Sequence, residues 1–400
     1  MKVGFVTFGC RLNRAEALEL EERYASGGWE IVSVEKHGGE PPDRIVVRGC
    51  AVTAKAQRDC EKAISHLRNR FPRTDIHVTG CLPEAQPRPP ADAAQANAAT
   101  VGRADVSRAY LKVQDGCSGA CTYCIVPQFR GAPISRPFDD VLLRARAFLD
   151  AGFRELIITG CNLCLYHDAG RGLPELAAAL AELESPGHRI RLGSIEPALC
   201  NDRLLEALEA RPNICRFLHL AVQSGSNRIL HRMRRPCTAE RMAAFCAEAR
   251  RRLGPRLALG ADVIAGFPGE TETDHAATRA FLAEGFIHLH AFPYSERPGT
   301  EAATMTPSVP VAVRRQRAKE LERIVAANRN VFAKTLIGQR ISVCVEKDGN
   351  GRTDEYLRCE LIGRAPRRSI VMATVKDYFP KTDVISATIR TNEKEGGQQP

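Results

Sequence analysis

The sequence predicts an α/β protein of three units: a small parallel α/β domain, a partial barrel of six βα units and a small antiparallel β-barrel. Three observations carry this prediction. Strand-like and helix-like runs alternate over residues 1–81 and again over residues 110–292. The second series offers six strands, too few for a closed barrel of eight. After a basic helical stretch at 311–338, the chain turns into short β-rich runs separated by Gly and Asp.

In the first unit the strands read VGFVTF (3–8), EIVSV (30–34), RIVVR (44–48) and DIHVTG (75–80), with helical patterns near 14–26 and 54–70. Residues 82–108 are rich in Ala, Pro and polar side chains and read as a linker. The second series has strands at YLKVQ (110–114), RELIITG (154–160), RIRLGSI (189–195), RFLHLAV (216–222), LALGADVIAG (257–266) and IHLHAF (287–292). Its helices fall at 139–151, 173–184, 201–210 and 239–253. RISVCVEK, EYLRCELIG, SIVMATVK and VISATIR are the strands of the last unit, and NEKEGGQQP reads as a disordered tail. The boundaries are then 1–90 for the first domain, 91–108 for the linker, 109–335 for the partial barrel, 336–392 for the small β-barrel and 393–400 for the tail.

The 400 residues are 44% hydrophobic, enough for a sizeable core, and carry a formal charge of +10. That excess suits an anionic partner, nucleic acid foremost, and equally a solvated basic surface. The N-terminal MKVGFVTFGC is too short and too alternating for a signal peptide, and no apolar run of about 18 residues appears, so no membrane span is expected. Fifteen cysteines, odd in number and spread over a long chain, do not read as a disulfide framework. A reducing cytoplasm is expected, where clustered thiols bind metal or do chemistry.

Two cysteine groups stand out. Cys10, Cys50 and Cys81 each follow a strand of the first unit, and parallel strands bring their carboxyl ends to one sheet edge. They read either as a joint metal site or as three unrelated buried cysteines. Cys117, Cys121 and Cys124 follow the first strand of the second series in DGCSGACTYCIVPQFR, a C-x3-C-x2-C spacing. Three thiolates can hold a [4Fe–4S] cube with one iron left open. That iron can chelate the amine and carboxylate of S-adenosylmethionine, whose sulfur–carbon bond is then split reductively to give a 5′-deoxyadenosyl radical. A zinc site completed by a distant His or Cys is the alternative.

Strand ends of the second series supply candidate contacts to that cofactor. Tyr123 precedes Cys124; Gly160 ends ITG, where a backbone approach is open; Glu196 ends SIEP and can hold a hydroxyl or an amine; Gln223 is a polar contact; Gly266 lies in an apolar, Gly-rich turn suited to adenine. Cys161 and Cys164 form a C-x2-C pair read as incidental, and Cys60, Cys200, Cys215, Cys237, Cys246, Cys344 and Cys359 read as small core residues. His219, His288 and His290 lie on strands and read as packed or hydrogen-bonded. Arg314, Arg315, Arg317, Lys319, Arg323 and Arg329 on one helix offer phosphate contacts or a solvated face. The last unit adds Arg352, Arg358, Arg364, Arg367 and Arg368, with Tyr356 as a core, surface or base-stacking residue.

Several blocks in order, FGCRLNRAE, VRGCAVT, VTGCLPE, LKVQDGCSGACTYCIVPQFRG, SIEP, QSGSNRILHRMRR, DVIAGFPGETETD and FPYSERPGT, resemble the methylthiotransferases of the radical S-adenosylmethionine superfamily over nearly the whole chain. The FGCRLN and FPYSERPGT blocks are most similar to the branch acting on N6-threonylcarbamoyladenosine beside the tRNA anticodon. The sequence departs from the family at Arg48-Gly49, before the second cysteine, and at Cys161 and Cys164. The resemblance implies a Rossmann-like N-terminal domain holding an auxiliary [4Fe–4S] cluster on Cys10, Cys50 and Cys81. It implies a radical S-adenosylmethionine barrel with a second cluster on Cys117, Cys121 and Cys124, and a TRAM-like RNA-binding barrel. The implied activity is methylthiolation of adenine C2, with two S-adenosylmethionine molecules per turnover, a tRNA anticodon stem-loop as substrate and an electron donor such as a flavodoxin-type protein. A monomer is expected. The competing expectations are methylthiolation of a ribosomal protein aspartate or of isopentenyladenosine in tRNA, and a non-catalytic iron–sulfur RNA-binding protein.

Overall fold

The computed structural model describes residues 1–34, 41–82, 106–185 and 187–389. The linker expected at 82–108 and the tail expected at 393–400 fall almost wholly outside these residues.

The first unit is a four-stranded parallel sheet of β1 (Lys2–Thr7), β2 (Glu30–Val32), β3 (Arg44–Gly49) and β4 (Asp75–Gly80), in the order β2-β1-β3-β4. Helices α1 (Arg11–Ser26) and α2 (Ala54–Arg70) connect them. The β-branched centre of β3 is buried throughout, as a strand covered on both faces must be. Helix α1 is unusual because it buries Asn13, Glu16 and Glu22 beside Leu12, Ala15 and Ala17. The cause is that α1 is covered on two sides. One side meets its own sheet, and the other packs Ala15 onto Tyr110 and Ile157 of the next unit.

The second unit has β5 (Ala109–Lys112), β6 (Glu155–Thr159), β7 (Arg189–Leu192), β8 (Ser194–Ile195), β9 (Phe217–Gln223), β10 (Ala258–Ala265) and β11 (Phe286–Pro293). Helices α3 (Val126–Arg130), α4 (Phe138–Asp150), α5 (Leu173–Ala181), α6 (Asp202–Glu209), α7 (Asn227–Arg232), α8 (Ala239–Leu253), α9 (Glu272–Ala283) and α10 (Val311–Thr335) lie among and after the strands. Strands β5 to β11 pair with one another in parallel, in the orders β7-β6-β5 and β8-β9-β10-β11, and two short antiparallel ladders, Gln114–Asp115 with Ile134–Ser135 and His167–Asp168 with Arg171–Gly172, lie in the connections. The expected strand 189–195 is therefore two pieces, separated at Gly193, whose N–H still donates to the Ile158 carbonyl at 2.9 Å. The edges β5 and β11 do not pair, which leaves the barrel open on one side. The first unit occupies that opening. Its α1 lies along β5, while the Ala54 N–H donates to Ser295 Oγ (3.0 Å) and Gln57 bonds Arg297, both just beyond β11.

The last unit is a closed five-stranded barrel of β12 (Arg340–Val345), β13 (Asn350–Thr353), β14 (Arg358–Ile362), β15 (Ile370–Phe379) and β16 (Val384–Ile389), in the order β12-β13-β14-β16-β15. Two expectations are corrected. The barrel is not purely antiparallel, because β14 and β16 pair in parallel, and the last hairpin turns back to close it. Residues 355–357 of the expected strand EYLRCELIG form a turn instead, with Tyr356 at φ +71°, and β13 is a strand that alternation did not reveal.

This barrel seals the amino end of the larger one. Buried Glu155 on β6 pairs with Arg191 (2.9 Å) and Arg189 (2.5 Å). Those guanidinium groups then donate to the carbonyls of Ser342, Arg352, Thr353 and Asp354. Phe217, Ala258 and Ile287 share an apolar cluster with Ile341, Val343 and Leu357. Among the described residues, no helix is long and apolar enough to cross a membrane.

Candidate active site

Strands β1, β3 and β4 are neighbours, so the segments leaving their carboxyl ends are neighbours too. Cys50 and Cys81 follow β3 and β4 at once and are buried; Cys10 follows β1 by three residues and is exposed. Gly9, at φ +95°, lies so close to Cys50 that a Cβ on it would fall 3.1 Å from Cys50 Sγ. The Cys81 N–H donates to the Gly49 carbonyl at 3.2 Å. Burial pushes the Cys50 thiol up to about 11, and the charges of Cys10 and Cys81 push in the same direction. Cys10 and Cys81 thus both lie near enough to Cys50 for its thiol to feel them. Cys60 is also near, but its sulfur is engaged by the Cys50 backbone at N (3.4 Å) and O (3.7 Å).

The second cysteine group sits in the loop after β5. Gly116, at φ +67°, is pressed against the Ala132 carbonyl so tightly that any side chain there would collide with it. The Cys117 N–H donates to the Gly131 carbonyl (3.1 Å), and a turn joins the Cys124 N–H to the Cys121 carbonyl (3.1 Å). A Cβ on Gly119 would lie 3.3 Å from Cys117 Sγ and 3.8 Å from Cys121 Sγ, so this glycine keeps the space beside both sulfurs open. Burial pushes the Cys124 thiol up to about 11, reinforced by Cys121 and Cys117. Arg235 Nη1 stands 3.8 Å from Cys121 Sγ.

One buried polar cluster joins the two groups. Arg130, at the end of α3, donates to Cys81 Sγ (3.0 Å), Asn13 Oδ1 (3.0 Å), Glu16 (3.1 Å) and Asp115 (3.0 Å). Lys112 reaches Glu16 (2.6 Å) and Asp115 (2.7 Å), and Arg48 pairs with Glu16. Asp115 also accepts from the Gly116 N–H (2.8 Å), one residue before Cys117. Three cations meet two carboxylates here.

The remaining expected residues are dispersed around the second group. Tyr123 packs edge-on to Phe267 beside Tyr294 and Ile264, giving an apolar wall. Glu196 is committed to Arg235 at 2.6 Å and to the Ala198 N–H at 3.3 Å. Gln223 ends β9 at φ +64°. Two glycines are tightly packed on the side that a Cβ would take. A Cβ on Gly160 would meet Gln114, whose Oε1 accepts from the Asn162 N–H, and one on Gly266 would meet Arg314 at 2.4 Å. Cys161 and Cys164 point apart. The Cys161 thiol donates to Asp115 at 3.4 Å, whereas Cys164 bonds Cys200, which pulls its pKa down and pushes that of Cys200 up. Sequence reasoning missed Arg130, Lys112, Asp115 and Arg235. Arg130 and Asp115 stand inside the quoted cysteine block, the one signal that marked them.

Comparison with known proteins decides the family. Residues 111–282 match the Radical SAM superfamily, and residues 2–102 match Uncharacterized protein family UPF0004. The threonylcarbamoyladenosine tRNA methylthiotransferase MtaB of Rickettsia prowazekii (strain Madrid E) is 31% identical over 89% of this chain and 90% of its own length. The chain belongs to the radical S-adenosylmethionine methylthiotransferases.

A second MtaB, from Chlamydia pneumoniae, is 32% identical over 86% of each chain. The tRNA-2-methylthio-N(6)-dimethylallyladenosine synthase of Novosphingobium aromaticivorans is 33% identical, again over 86% of each. Among solved structures, the radical S-adenosylmethionine methyltransferase TsrM from Kitasatospora setae superposes with a TM-score of 0.54 at 13% identity, over 76% of this chain and 77% of its own, a likeness of fold. This methylthiotransferase uses two [4Fe–4S] clusters and S-adenosylmethionine.

Proposed function

We propose that the chain adds a methylthio group to C2 of N6-threonylcarbamoyladenosine next to the tRNA anticodon. The observation that carries this reading is the pair of three-thiol groups flanking one polar cluster, on the two sides of the seam between the first unit and the barrel. A set of three thiolates suits a cube that keeps one iron free. In this reading Cys10, Cys50 and Cys81 hold the auxiliary cluster, and Cys117, Cys121 and Cys124 hold the radical one. When bound, the clusters and S-adenosylmethionine supply the sulfur, the methyl group and the radical chemistry that an unactivated C–H bond requires.

The chain's own residues hold and orient these groups. Arg130 sets a positive charge on Cys81, and Arg235 sets one near Cys121, so each cysteine group has a guanidinium at its edge. Tyr123, Gly160, Glu196, Gln223 and Gly266 are assigned to the S-adenosylmethionine pocket. Tyr123 supplies an apolar wall with Phe267, and Glu196 is held rigid by Arg235. Residues 1–90, 109–335 and 336–392 act as the auxiliary-cluster, radical and TRAM-like RNA-binding domains. Exposed Arg315, Lys319 and Arg323, spaced at i, i+4 and i+8 on α10, together with exposed Arg358 and Arg364, are assigned to tRNA phosphates. The anticodon loop is single-stranded, so splaying the base into the barrel costs little. A flavodoxin-type donor, a monomer and a cytoplasmic location complete the proposal.

A second reading, dimethylallyladenosine in tRNA, is favoured by the synthase names among the relatives. The test is anaerobic reconstitution followed by turnover on anticodon stem-loops carrying threonylcarbamoyl, isopentenyl or no modification, with nucleosides read by mass spectrometry. A peptide bearing the ribosomal aspartate serves as a further arm. The expected result is methylthiolation of the threonylcarbamoyl substrate, lost in Cys50→Ala and Cys121→Ala. Product only on the isopentenyl or peptide substrate, or activity that survives Cys121→Ala, overturns the proposal.

A further inference from the structure

The interior of the large barrel below the cysteines carries a charge arrangement that the proposed reaction leaves unused. Strand alternation sends Leu218, Leu220 and Val222 of β9 into the helix-side core, so Phe217, His219 and Gln223 face inward. Tyr356, from the turn between β13 and β14, stacks on Phe217 (4.9 Å, 20° between rings) and meets His288 edge-on (5.2 Å), making a floor. Above it His219 and His290 both contact Asp262, at 3.0 and 2.9 Å.

Four guanidinium groups converge on the Tyr356 ring: Arg191 at 5.0 Å, Arg11 and Arg352 at 5.1 Å, and Arg108 at 5.6 Å. Arg191 is neutralised by Glu155, and Arg108 by Glu155 and Glu346. Arg352 donates to the Tyr356 carbonyl at 3.4 Å. Asp262 serves the two histidines. Arg11 differs, because among the described residues no carboxylate or carbonyl holds its guanidinium. It is only half-buried, its charge is felt by His290 in the interior, and it is the residue next to Cys10. A base presented to the auxiliary cysteines therefore has beside it a planar cation that no carboxylate of the described residues holds. Such a fork matches a carboxylate in two-point geometry.

We infer that Arg11 reads the carboxylate of the threonylcarbamoyl group, and so selects that adenine over one carrying an uncharged prenyl chain. The inference rests on the proposed assignment of Cys10 to the auxiliary cluster. Tyr356 is the resident counter-group. Burial opposes its ionisation, but Arg11, Arg108, Arg352 and Arg191 together pull its phenol down to about 7, so the floor already attracts negative charge.

The test uses reconstituted holoenzyme and three anticodon stem-loops: one with the free threonylcarbamoyl acid, one with its methyl ester and one with isopentenyl. KM and kcat are measured separately, and iron content is measured for every protein. In the wild type, the ester is expected to raise KM roughly 10- to 100-fold over the acid, the worth of one charge-assisted pair. Arg11→Gln is expected to abolish that acid-over-ester preference, and Arg11→Lys to retain part of it. A wild type that treats acid and ester alike overturns the inference without any variant. So does an iron-replete Arg11→Gln that keeps the preference. A wild type that modifies only the isopentenyl stem-loop overturns the proposed substrate itself, a distinct result.

Discussion

Arg130 is the residue on which both cysteine groups depend. Its guanidinium holds Cys81, Asn13, Glu16 and Asp115 at once in a buried setting, so removing it leaves two carboxylates short of a cation. Arg130→Met is expected to cost about 3–5 kcal/mol in denaturant unfolding. Iron analysis on the same variant should show loss from the auxiliary site ahead of the radical site. Tyr356 gives a pH signature. Its folded pKa, about 7, lies below the ordinary phenol value of about 10, so its contribution to stability is complete above the higher value and lost as pH falls through the lower. The stability gap between wild type and Tyr356→Phe should therefore widen as pH rises from about 6 to about 9, and a flat gap would refute the assignment. That Cys50 and Cys81 lie side by side was legible because parallel strands must end on one edge. The cations between the two cysteine groups were not, since Arg130 and Glu16 are 114 residues apart and no local period links them.

Helices α1 and α10 show what patterning conveys at the scale of an element and what it hides. Both were expected within a few residues of their observed limits. The six cations of α10 were read as one set for phosphate, but they divide. Arg314 is taken by Tyr294, Val309 and Ser308, Arg317 by Glu270, and Arg329 by Asp383. Only Arg315, Lys319 and Arg323 remain as an exposed stripe. Replacing those three with Ala should lower the slope of log affinity against log salt for a tRNA anticodon arm by about 2–3 units while leaving the unfolding midpoint in place. Arg317→Ala should do the reverse and destabilise the fold. In the last unit the picture also divides. Arg367 bonds Ser107, just before β5, and Arg368 bonds Ala151, just after α4, which leaves Arg358 and Arg364 to solvent. Helix α1 hides its role for a different reason: a helix covered on two sides has no single apolar stripe to read.

Across the whole molecule, the order of the three units was legible and their interlocking was not. The first unit fills the open side of the barrel, and the last one stops its amino end through Glu155, Arg189 and Arg191. Glu155→Gln strips the shared counter-charge from the guanidinium groups of Arg108, Arg189 and Arg191. It should loosen the last unit, seen as cleavage near residues 336–340 by trace protease at concentrations that leave the wild type intact. The parallel pairing that closes the small barrel was equally hidden, because hairpin signals speak only for strands adjacent in sequence.

The floor laid by Tyr356 has a bearing on biosynthesis. One wall of the barrel interior is supplied by Arg11 of the first unit, and its floor by Tyr356 of the last, which is translated well after it. During translation the nascent protein therefore carries an unfinished vessel, open below until residues 336–389 emerge.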